Sequence, residues 1–243
     1  MVVPIYDDNP FRLPHRPVVT WILIGVNIGV FLLELAADNP TDLIATFGLT
    51  PAALIGDVSI PGALAPILTL FTYMFLHADI GHILGNMIFL WVFADDIEEA
   101  LGRRRFLAFY LLCGMIAGIG FVASDPHSQT PLIGASGAIS GIVIAYAMLR
   151  PCAKVTALVF GFIPLRISAF WIIGVFVVIQ FINLESSAKS EVAYWCHLIG
   201  MLAGGALFPI MRPPGVRLFQ CIRTPKAPAV PATRGHLPGA PGG

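Results

Sequence analysis

The chain has 243 residues, 57% hydrophobic and only 12% charged, with a mean hydropathy of +0.83. Soluble domains carry about a quarter of their residues as charges, so a soluble globular domain is excluded. Fourteen Lys and Arg balance fourteen Asp and Glu. The net charge therefore offers neither a basic field for nucleic acid nor an acidic one for solvation, and any information lies in how the charges are distributed.

Residues 1–17, MVVPIYDDNPFRLPHRP, are polar and proline-rich, lack the apolar stretch of a secretory signal, and read as a short exposed arm. Span one is Val18 to Ala36, nineteen residues with one charge near its end, against the roughly 20 needed to cross a ~30 Å hydrocarbon core. The apolar region from Pro66 to Ala94 is too long for one plain helix. Its first half reads as an interfacial or partly immersed connection, and span two runs from about Gly81 to Phe93, extended through DDIEEALG. Span three is Phe106 to Ser124, span four Leu132 to Met148, span five Ile167 to Leu184 and span six Ala193 to Met211. Only helices satisfy their own backbone in lipid, so the fold class is an all-α polytopic membrane protein with six transmembrane helices over residues 18–211. Residues 212–243 end in the Pro- and Gly-rich KAPAVPATRGHLPGAPGG and read as a disordered tail. The cysteines Cys113, Cys152, Cys196 and Cys221 are scattered without a CxxC pair, which suggests neither a disulfide framework nor a zinc module.

Thirteen of the fourteen basic residues fall in the arm, in the segments after spans two and four, and in the tail, with Lys189 alone on the other side. Lys and Arg of short loops stay cytoplasmic, so both termini are expected there. Spans two, four and six then run inward from the outer face.

Polar groups inside such spans are costly and point to function. Span four opens GASGAISG, from Gly134 to Gly141, with Ser136 and Ser140 among small residues. Gly137 and Gly141 form a GxxxG pair, which by itself indicates close helix packing; the sharper reading makes Ser136 a nucleophile. The soluble hydrolase elbow GxSxG does not fit, because position 138 is Ala and no strand precedes it. Span six places His197, Gly200 and Gly204 on one helical face, and span two places His82 and Asn86 one turn apart, with His77 outside that face as a structural residue. Ser136, His197, His82 and Asn86 each lie near the outer start of a span, so they share one depth. Together they supply a hydrolase's parts: a hydroxyl nucleophile, an imidazole base, and oxyanion donors in His82, Asn86 and the Ser136 backbone N–H. No carboxylate stands at that depth, which leaves a Ser–His dyad with His197 oriented by packing or by another polar group. HADIGH lacks the HExxH spacing of a metal site, so neither metal nor other cofactor is expected. A polar pocket serving a scaffold, transporter or binding protein is the competing non-enzymatic reading, though interrupted helices in matching positions are not evident.

HADIGHILGN, GASG and HLIGMLAGG, in that order on spans two, four and six, resemble the signature of rhomboid intramembrane serine proteases. The resemblance implies a six-helix rhomboid-like bundle that cleaves single-pass or polytopic membrane proteins near the outer surface. Small residues at the scissile bond and helix-weakening residues nearby would be preferred. It assigns Ser136 as nucleophile, His197 as base, His82 and Asn86 as oxyanion donors and His77 as a structural member. FADDIEEALGRRRF is similar to the family's glutamate-containing turn, where Glu98 would cap or brace. Three positions depart from the pattern: Leu68-Thr69 stands where many members have Trp-Arg, Ser140 where Tyr often packs on the histidine, and Cys196 where Ala precedes it. An inactive rhomboid-like scaffold is the alternative. A bacterial inner membrane fits the compact form.

Overall fold

The computed structural model describes residues 2–7, 16–159, 162–184 and 193–221. The expected tail from residue 222, Arg12 of the arm and Lys189 lie outside the described residues. Helix α1 spans Val18–Ala36, as expected for span one. A short α2 (Pro40–Phe47) starts at Asn39, whose side chain accepts from the Thr41 N–H, with Pro40 at the first helical position. After it come α3 (Pro51–Leu54) and α4 (Pro66–Thr72), the latter running into a 3₁₀ turn at Tyr73–Phe75. The connection before span two is thus itself helical.

Helix α5 spans Ile80–Leu101 and is capped by Asp79, whose Oδ1 accepts the His82 N–H at 2.9 Å. It ends at Gly102, whose φ of +76° suits a residue without Cβ, and α6 (Arg103–Ser124) follows at once. Then come α7 (Ser136–Leu149), α8 (Ala169–Ile182) and α9 (Tyr194–Met211). Helices α1, α5, α6 and α9 are long and apolar enough to cross a membrane, whereas α7 and α8 have 14 residues each. Both are shorter than the expected spans for a local reason. Leu132 is drawn into a bridge with Leu49, its N–H donating to the Leu49 carbonyl at 2.8 Å, and Gly134 turns the chain at φ +114° before α7 begins. Ile167 and Ser168, at the front of span five, belong to a strand.

That strand is part of a three-stranded antiparallel sheet ordered β1-β2-β3, formed by Val2–Asp7, Lys154–Val159 and Ile163–Ser168. The all-α expectation leaves this connection a loop without strands, although its β-rich runs VTALV and FIPLRIS flanking a glycine are a hairpin signal. Strand β1 also corrects the exposed arm: its edge position tolerates Pro4, and Asp7 is buried, accepting from the Tyr146 hydroxyl at 2.6 Å. Cys152 and Cys221 form a disulfide, a pairing that their 69-residue separation hides in the sequence.

Helix α7 is the centre, with residues 137–143 all buried and α5, α6 and α9 packed around it. A helix apolar on every side is a buried helix. By contrast α1 leaves Ile22, Leu32, Leu33 and Leu35 more than half exposed, as a lipid-facing helix does. The DDIEEALG extension is not a solvated charge run. Asp96 is buried and accepts from Arg150 Nε at 2.9 Å. Glu98 reaches across to the start of α1, where its carboxylate accepts from Val19 N (3.0 Å), Thr20 N (2.7 Å) and Thr20 Oγ1 (2.8 Å). Helix α1 has no cap of its own, so Glu98 satisfies N–H groups that would otherwise be orphaned and sets a negative charge at the positive end of the helix. Glu98→Ala is expected to lower stability by about 2 kcal/mol, since it strands buried donors; a thermal melt in detergent measures it, and an unchanged midpoint would contradict the capping role.

Candidate active site

Two helices are brought together by glycines. A Cβ on Gly200 would collide with the carbonyl oxygen of Gly137, and one on Gly204 would stand 2.6 Å from the Gly141 carbonyl carbon. Backbone therefore touches backbone along α7 and α9, which small residues alone permit. Ser136 immediately precedes Gly137, and His197 lies one turn before Gly200. The same approach that pairs the glycines brings His197 Nε2 to 2.8 Å from Ser136 Oγ. Both side chains are half-buried, so the pair is held by the protein yet reachable.

The start of α5 closes over the chain just before Ser136. Gly134 has a positive φ and donates its N–H to the Tyr73 carbonyl at 2.8 Å. A Cβ there would stand 2.6 Å from His82 Nε2 and 3.7 Å from Asn86 Nδ2, so only glycine lets the His82 ring lie against this backbone. Asn86 is buried, and its Nδ2 has no hydrogen-bond partner among the described residues. His77 is buried as well. Its ring meets that of His82 edge-on at 5.1 Å, while its backbone N–H donates to the Glu34 carboxylate at 3.2 Å. The structure thus gathers Ser136, His197, His82, Asn86 and Gly134 at one place, with His77 behind His82. Glu98 is distant, at the foot of α1, and Gly137, Gly200 and Gly204 act as the helix seam. Among the described residues no group of three or more His, Cys, Asp or Glu side chains could hold a metal ion.

A rhomboid domain model matches residues 65–214, from the start of α4 to just beyond α9 and across every residue of this cluster. The chain belongs to the rhomboid family. Among its relatives, the rhomboid protease GluP of Bacillus subtilis (strain 168) is 34% identical over 128 residues, covering 52% of this chain and 23% of that protein. RHOMBOID-like protein 12, mitochondrial, of Arabidopsis thaliana is 32% identical over 149 residues, covering 54% of this chain and 43% of the relative. The presenilin-associated rhomboid-like protein, mitochondrial, of Homo sapiens is 31% identical over 133 residues, covering 53% and 32%. The rhomboid chain described here matches less than half the length of each of these relatives.

Two further residues near this rhomboid site stand in no motif of the sequence. Glu34 is buried where α1 ends, beneath His77. Gln180, on α8, is 4% exposed and its Oε1 lies 2.8 Å from His197 Nδ1. The available signal was an amide in AFWIIGVFVVIQFI, which is otherwise apolar apart from the Trp171 indole N–H. The Tyr194 ring, at 6.5 Å from that of His197, is the aromatic neighbour in a protein with Ser140 four residues after Ser136.

Proposed function

We propose that the protein is an intramembrane serine endopeptidase that cleaves membrane-protein substrates near the outer face. The observation that carries the reading is the 2.8 Å separation of Ser136 Oγ and His197 Nε2, within reach for proton transfer. As Ser136 attacks a peptide carbonyl, its proton passes to Nε2 and the carbonyl oxygen gains negative charge; His197 then returns the proton to the departing amine as the C–N bond breaks. Water attacks the acyl-enzyme by the same exchange. His82, the unpaired Asn86 amide and the Ser136 backbone N–H are the oxyanion donors. Asn86, whose buried donor finds no partner among the described residues, is poised for a charge that appears only during reaction.

Length supports the depth. Helix α7 has 14 residues, or about 21 Å at 1.5 Å each, some 9 Å less than a ~30 Å hydrocarbon core. With Arg150 at the inner interface, Ser136 lies below the outer boundary, in reach of a substrate helix that unwinds there. Six membrane-embedded helices, α1 and α5 to α9, with the basic residues and both termini inside, complete the proposed topology. Relatives with mitochondrial names stand beside a bacterial one, so the inner side is either cytoplasm or an organelle's equivalent.

A fluorophosphonate or isocoumarin probe tests the reading against a scaffold. Labelling of the wild type at Ser136, absent from Ser136→Ala and not transferred to Ser140, is expected; an unlabelled wild type would favour the scaffold. Asn86→Ala is expected to lower kcat by about a hundredfold with KM little changed. If instead kcat holds and substrate affinity falls, Asn86 belongs to binding.

A further inference from the structure

A base that takes a proton through Nε2 must carry its own proton on Nδ1, and something has to hold it there. Among the described residues, the polar side chains around His197 are few. Ser136 comes from α7, His82 from α5 and Tyr194 from its own helix. Helix α8 contains no charged residue, and α6 has none between Phe106 and Ser124, where Tyr110 and Cys113 are its titratable groups. Among the described residues the hydrogen-bonding group at Nδ1 is Gln180 Oε1, at 2.8 Å. Gln180 is almost fully buried, while its neighbours Val178, Phe181 and Ile182 are more than half exposed toward the lipid side. An amide kept in an apolar helix costs several kcal/mol unless it is paired, and His197 is its partner.

We infer that Gln180 is the positioning residue of this site, its Oε1 accepting the Nδ1–H of His197 so that the Nε2 lone pair faces Ser136. The inference rests on the serine-protease reading and adds a third helix to it. A chain of hydrogen bonds runs from α7 through α9 to α8. An amide oxygen accepts but does not donate, so it selects one tautomer. Turned round, the amide would donate to Nδ1 and place the ring proton on Nε2, where it blocks the reaction. The Nδ1 proton stays in place throughout, while the serine proton moves to Nε2 and on to the leaving amine. Unlike a carboxylate, the amide stabilises the imidazolium only through its dipole, so it orients His197 without fixing it in the charged state.

The test uses the full chain in proteoliposomes with a model transmembrane substrate, measuring kcat and KM across pH for the wild type, Ser136→Ala, Gln180→Leu and Gln180→Glu. Gln180→Leu is expected to lower kcat by about 10- to 100-fold at nearly constant KM, as a loosened base does. Gln180→Glu keeps an acceptor but adds a negative charge, which favours the imidazolium; the low-pH limb of kcat/KM should move to higher pH by about one unit. A residue 180 side chain that does not contact Nδ1 would leave that limb in place. With Ser136→Ala inert, a Gln180→Leu kcat within twofold of wild type overturns the inference and spares the dyad, as does a rise in KM alone. An active Ser136→Ala overturns the serine-protease reading itself. Should the leucine variant fail to fold, the glutamate variant decides, and an unmoved limb overturns the inference.

Discussion

Ser136→Ala and His197→Ala are each expected to reduce turnover of a transmembrane substrate by about a thousandfold or more, and the double variant to be no slower than either single one. In the proposed mechanism the two side chains act as one device, with Oγ and Nε2 2.8 Å apart. Removing the imidazole leaves a hydroxyl too weakly acidic to attack, and removing the hydroxyl leaves a base with nothing to activate. Independent contributions would multiply; a shared one does not. What residual rate survives comes from the oxyanion donors and from bound geometry. Kinetic comparison of the four proteins measures this, and a double variant slowed by the product of the two single losses would split the pair into separate roles.

The second large effect falls on the helix seam. Gly204→Val is expected to abolish activity and to destabilise the fold by about 3 kcal/mol, the upper part of the range for overpacking. The reason is what the new atoms meet. At Gly204 they meet the backbone of Gly141, which cannot rotate aside, whereas a Cβ at the adjacent Gly205 stands at an ordinary 3.6 Å from a methyl group of Ile144. Gly205→Ala should therefore behave as wild type. Because the seam also fixes how close α9 comes to α7, a folded Gly204→Ala variant is expected to lose turnover before it loses stability. Thermal melts and cleavage rates of the three variants measure both effects, and equal behaviour of Gly204→Val and Gly205→Ala would contradict the seam.

The boundaries of α1 and α9, and the meeting of the GASG and HLIGMLAGG segments, were legible because a lipid-immersed chain shows its purposes in its exceptions. A serine, two histidines and an asparagine stand out against apolar runs, and glycines at four-residue spacing mark a seam. Other features were hidden because they depend on distant partners. Strand β1 finds its neighbour some 150 residues along the chain, with Val3 opposite Leu158, and no local period announces that. Asp96 looks like part of a solvated run until Arg150 closes on it, and for Glu98 a bracing role is legible from its turn but its partners at the start of α1 are not. Gln180 was visible as a polar residue in span five but had no motif around it, and only the position of α8 against His197 gives it a role. The shortening of α7 came from Leu132 pairing with Leu49, a contact between two loops.

Cleavage in proteoliposomes, with the cut site read by mass spectrometry, tests the central claim most directly. The reconstituted wild type is expected to cut a model transmembrane substrate within the outer part of its span, and Ser136→Ala, equally folded, to leave it intact. Cleavage by Ser136→Ala at the wild-type rate and position would contradict it.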